Sequence, residues 1–103
     1  MRQQFVPPDL AARSLDVFGL EDRLLLLQEE AGELGVAISH FRRGRCGAWQ
    51  EVMEELADVL VVAEQVCACQ GVAEDVTSQA RAKVARLETV SYTHLRAHET
   101  CAD

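Results

Sequence analysis

A chain of 103 residues with a formal net charge of −7 and 49 % apolar residues has room for one domain with a modest core. So acidic a composition lacks the Lys and Arg that neutralise phosphate backbones, which argues against nucleic acid as a partner. Small phosphorylated ligands stay open, because a bridging metal reverses the local sign of charge, and the apolar share invites burial against a second copy.

The opening segment, MRQQFVPPDL, has no apolar core or small-residue cleavage site of a secretory signal. The longest apolar runs, 24–27 and 59–63, fall far short of the ~20 residues of a membrane span. Four cysteines (46, 67, 69 and 101) without a secretory signal read as free thiols in a reducing, cytoplasmic setting. The two-residue step from Cys67 to Cys69 points the thiols to different helix faces, which speaks against a zinc knuckle.

The elements read as all-α, about four helices. Pro7-Pro8-Asp9 opens a short helix over 9–17, stopped by Gly19. A long helix over 20–43 follows, then a turn at Gly44 and Gly47, then a third helix over 48–70 capped by Gly71. A fourth, over 73–89, carries Val76, Ala80, Val84 and Leu87 on one stripe. The last residues, SYTHLRAHETCAD, continue no stripe, and YTHLRAHET resembles translated sequencing-adapter read-through. The domain is therefore drawn as 1–89, with 90–103 a non-native or disordered tail whose His94, His98 and Cys101 carry no functional argument.

The chemistry sits in the two long helices. Helix two reads QEEAGEL (28–34) and helix three reads EELADVL (54–60). Glu30 and Glu33, and likewise Glu55 and Asp58, are three apart, so each pair shares a helix face with Cβ atoms roughly 5–6 Å apart. The chain between Glu33 and Glu55 is long enough to finish one helix, turn and come back level, which brings four carboxylates together across an antiparallel pair.

Acids on helices are usually a solvated face. Here Leu26, Leu34 and Ala37 lie on the same stripe as Glu30 and Glu33, and the Glu51, Glu55, Asp58 stripe continues as Val62 and Cys69. Acids set into apolar stripes must be protonated, paired with bases or bound to metal, because taking an ion out of water costs several kcal/mol. The only nearby basic cluster, Arg42, Arg43 and Arg45, lies about 15 Å beyond Glu33 at ~1.5 Å per residue. That leaves a metal, and all-oxygen ligands select Mg²⁺ or Mn²⁺. A carboxylate-bridged di-iron site needs Glu three residues before His, and no histidine here has one.

EEAGE (29–33) followed by EELAD (54–58) resembles the signature of the MazG-like, all-α nucleoside triphosphate pyrophosphohydrolases. The similarity covers roughly 19–87 and includes the HFRRGR turn. The resemblance implies hydrolysis of a nucleoside triphosphate to monophosphate and pyrophosphate, in homodimers or tetramers whose helices form a four-helix-bundle core. It also implies Glu30, Glu33, Glu55 and Asp58 as Mg²⁺ ligands, and Glu29 or Glu33 as acceptor of the water's proton. Arg42, Arg43 and Arg45 become candidates for the terminal phosphates, although cations at a helix C-terminus also suit the macrodipole. Trp49 is a candidate for stacking on a base, but its register with Met53, Leu56 and Leu60 favours core packing, as for Phe18 and Phe41. Gly32 and Gly35 are costly inside a helix, and close helix approach would account for both. Two other readings compete: a phosphoribosyl-ATP pyrophosphohydrolase, and a non-catalytic helical partner protein whose acids serve solubility.

Overall fold

The computed structural model describes residues 4–101, with side chains over 4–93. It contains four helices: α1 (Pro8–Phe18), α2 (Leu20–Arg42), α3 (Ala48–Cys67) and α4 (Val72–Cys101). No strand occurs among the described residues. The chain divides into two compact units, 1–72 and 73–103.

In the first unit α1 starts where proline permits it, with Pro7 at the cap, Pro8 in the first turn and Asp9 facing the positive end of the helix dipole. Gly19 joins α1 to α2 in a single residue. Its φ of 87° is open to glycine and strained for any other side chain, while its N–H donates to the Leu15 carbonyl at 2.8 Å. At the far end of α2 the Arg43 N–H donates to Ser39, the Gly44 N–H to Phe41 and the Arg45 N–H to His40, satisfying the last carbonyls of the helix. α3 stops at Cys67 rather than running to Gly71. The Ala68 and Cys69 N–H groups bond three residues back, to Gln65 and Val66, which tightens the last turn and ends the helix early.

α2 and α3 pack antiparallel, and cross-helix partners mark their register. Arg23 meets Gln65, Glu33 lies against Glu55, and His40 meets Glu51, so every step forward along α2 is matched by a step back along α3. The residues buried at this junction are small: Ala37 is fully buried, with Ala48, Val52 and Val62 close behind. The long apolar side chains end up outside. Phe18, Phe41 and Trp49, expected in the core, are each about half exposed, as are Leu25 and Val36. Small residues let two helices approach closely, and the bulk is then displaced to the rim.

Gly32 and Gly35 do not mark a close approach. A Cβ at either would meet nothing within 4 Å. Gly32 borders an open groove instead.

In the second unit α4 continues past Thr89, where the apolar stripe stops, to Cys101. The Leu, Arg, Ala and Glu residues of that stretch are good helix formers, and a helix needs no stripe to propagate. Val76, Val84 and Leu87 of the stripe are exposed. The side chains of His94, His98 and Cys101 lie outside the described residues.

Candidate metal centre

The register of α2 against α3 brings the acids together as their spacing leads one to expect. Glu30, Glu55 and Asp58 each offer a carboxylate oxygen, and the three oxygens lie within 4.8 Å of one another. Glu33, the fourth expected ligand, abuts both Glu30 and Glu55 and is more exposed than either. Glu29 stands one turn away on the same groove, a concavity of about 640 Å³ lined by Glu29, Gly32, Glu33, Val36, Glu51 and Glu55.

The electrostatics of the cluster are those of mutual repulsion. Burial pushes the Glu30 carboxyl up from its ordinary 4.5 to about 7, with the hydrogen-bonding neighbour Glu33 and the charges of Asp58, Glu33 and Glu55 adding to it. Burial likewise raises Glu55, followed by the Glu33 and Asp58 carboxylates and, last, Glu51. One Glu55 oxygen, Oε2, is shut away from solvent and has no hydrogen-bond partner.

No base relieves this. Among the described residues the ion pairs are Arg23 with Asp22 and His40 with Glu51, and neither involves a member of the cluster. Of the three ways to tolerate packed carboxylates, pairing with cations is therefore absent. Protonation remains, and so does a divalent cation. An all-carboxylate donor set, an orphaned inward oxygen and ligand atoms at this mutual distance fit a hard cation such as Mg²⁺ or Mn²⁺. The absence of any His or Cys from the set argues against zinc.

The remaining candidates fall elsewhere. Arg42, Arg43 and Arg45 are fully at the surface of the turn after α2 and do not line the groove. Trp49, 57 % exposed, leans on Phe41 with ring centroids 5.1 Å apart and planes tilted by 49°. Glu54 faces solvent near Gln50. Cys46, Cys67 and Cys69 are free thiols.

Three features escaped sequence reasoning. His40 Nδ1 lies 2.9 Å from Glu51 Oε1, bridging the helices beside the groove. Glu64 accepts backbone hydrogen bonds from Phe5 and Val6 at 2.7–3.0 Å, tying the N-terminal segment to α3. An apolar cavity of about 600 Å³ opens between that segment, α1 and the far end of α3, with Arg13, Ser14, Arg23 and Gln65 as its polar groups. The His40–Glu51 pair was within reach of the pattern, since His40 is two turns beyond Glu33 and Glu51 one turn before Glu55. The Glu64 contact was not, because its partners are main-chain amides and carry no residue signature.

No family model, no curated protein and no solved structure matches this chain. A functional reading therefore rests on its own residues.

Proposed function

We propose that the chain hydrolyses a nucleoside triphosphate to the monophosphate and pyrophosphate with the help of Mg²⁺ or Mn²⁺. The observation that carries this reading is the base-free carboxylate cluster of Glu30, Glu55 and Asp58, with Glu33 against it, at the edge of an open groove. Bound there, the ion would neutralise phosphate charge and lower the pKa of water.

The protein's own part is to hold and to orient. Glu30, Glu55 and Asp58 hold the cation, and Glu33 completes the set from its more exposed position. Glu29, free of the cluster and lining the same groove, is placed to accept the proton of the attacking water, a role it shares as candidate with Glu33. The base and sugar go to the apolar cavity. Along α2, Arg23 lies about 10 Å from Glu30 at ~1.5 Å rise per residue, a span suited to a nucleoside between its ring and its first phosphate. In that cavity the Phe18 ring offers a face, with Arg23 stacked over it at 4.2 Å, and Gln65 offers an amide. The arginines of the α2–α3 turn remain candidates for the phosphate tail through motion of their exposed side chains.

The half-exposed Leu25, Val36, Phe41 and Leu60 on α2 and α3 support assembly with a second copy, completing a four-helix core. Sedimentation of the full chain should show a dimer or tetramer.

The test is pyrophosphate release from a panel of nucleoside triphosphates with Mg²⁺ and with EDTA. Equimolar monophosphate and pyrophosphate, released only with the metal, is the expected result. Failure to release it from any triphosphate would overturn the hydrolase reading.

A further inference from the structure

The groove does not end at the carboxylates. Along α2, Glu29, Glu33, Val36 and His40 recur at three- and four-residue steps and so share one face. The first three line the groove. On α3, Glu51 and Glu55 are one turn apart and both line it. His40 meets Glu51 across the helices at 2.9 Å, so a His–carboxylate pair stands beside the groove where Glu51 lines it. Side chains on a helix lean toward its N-terminus, which tilts His40 back toward Glu33 and the cluster.

The His40 side of this pair differs from the residues that line the groove. Glu29, Glu33, Glu51 and Glu55 are acidic, and His40 is the groove's one contact with a group that can carry positive charge. Its side chain is 22 % exposed, so it is reachable without being loose. With Nδ1 engaged by Glu51, the ring orientation is fixed and Nε2 is left for a ligand. As imidazolium, both ring N–H groups donate, one to Glu51 and one to an anion.

The opposite end of the same helix pair holds the apolar cavity and Arg23. A ligand with an apolar ring, a metal-binding middle and an anionic tail thus has one sensible direction along α2. We propose that His40, oriented by Glu51, contacts the terminal phosphates of the substrate and holds the pyrophosphate that leaves. This rests on the hydrolase reading for the identity of the substrate, but the contact itself is a binding property.

The experiment is calorimetric titration of the full chain with inorganic pyrophosphate in excess Mg²⁺, and separately with a nucleoside monophosphate. The variants are His40→Ala, His40→Lys and Glu51→Gln. Losing one charge-assisted hydrogen bond should weaken pyrophosphate binding about tenfold or more in His40→Ala. His40→Lys, which keeps a cation, should recover most of it, and Glu51→Gln should lie between. Monophosphate affinity should be unchanged throughout, and circular dichroism of each variant should match the parent. Unaltered pyrophosphate affinity in a folded His40→Ala chain would overturn the proposal. So would a loss confined to the monophosphate, which would place the base, not the tail, at His40. If the parent chain hydrolyses no triphosphate yet its pyrophosphate affinity depends on His40, the contact stands and the hydrolase reading falls.

Discussion

Two stations on the same pair of helices are built on opposite principles. Where Arg23 meets Gln65, the charge is answered: Asp22 pairs with the guanidinium, Gln65 Oε1 accepts from both Arg23 and Ser14, and the Phe18 ring takes the face of the guanidinium. Two turns along, Glu30, Glu33, Glu55 and Asp58 face one another without a single base, and one Glu55 oxygen is sealed off with no partner. The helices, the register and the degree of burial are much the same at both places. What differs is satisfaction. A satisfied polar station stabilises the packing, whereas an unsatisfied one of like charges costs stability unless something outside the chain completes it.

Substitutions at the two stations should therefore act in opposite directions. The largest effect belongs to the acids: Glu30→Gln or Asp58→Asn should reduce metal-dependent pyrophosphate release by more than about a hundredfold, as expected for loss of a ligand to an essential ion. The same variants should raise the melting temperature of the metal-free protein, because each removes repulsion. Retained turnover in both would refute the ligand assignment. Next comes Arg23→Ala, which strips two hydrogen-bonded contacts and a cation–π stack and should cost about 2 kcal/mol in urea denaturation. Glu64→Ala should cost about 1 kcal/mol by releasing the Phe5 and Val6 amides, with faster proteolysis confined to the N-terminal segment. Smallest is Gly35→Ala, a stabilisation of roughly 0.5–1 kcal/mol, since a methyl there meets nothing and alanine favours the helix. A destabilised Gly35→Ala chain would show that a second copy packs against that face.

Much of this was legible beforehand. The three-residue steps of Glu30/Glu33 and Glu55/Asp58, set in apolar stripes with a Gly-marked turn between them, were enough to expect both the antiparallel pair and the convergence of its acids. Both rest on local periodicity and chain length, which sequence states directly. The misplaced residues share a cause. Trp49, Phe18 and Phe41 have the right register for a core, but register gives a direction and not a depth. Small buried residues such as Ala37 and Ala48 let the backbones come close and leave the rings at the rim. Gly32 and Gly35 misled similarly, since a missing side chain signals open space as readily as close approach. Helix α4 outran its stripe because hydrophobic periodicity reports a buried face, whereas helix propagation follows propensity. The cavity by Phe18 and the Glu64 contacts depend on an N-terminal segment packing from a distance in sequence, beyond the reach of any local pattern.

The claim that the acidic station waits for a cation is tested most directly by the melting temperature of the chain against pH, with and without Mg²⁺. Glu30 is raised from 4.5 to about 7 in the folded protein, so between those values the folded state holds a proton that the unfolded state has lost. The Glu30 contribution to stability without metal should then be full below about pH 4.5 and be lost as pH rises through 7, the direction required when the native state binds the extra proton. At pH 8 Mg²⁺ should restore what ionisation removed, by an amount that grows with its concentration, and Glu30→Gln should weaken both responses. A melting temperature at pH 8 that Mg²⁺ leaves unmoved, the same in the parent as in Glu30→Gln, would contradict the metal centre.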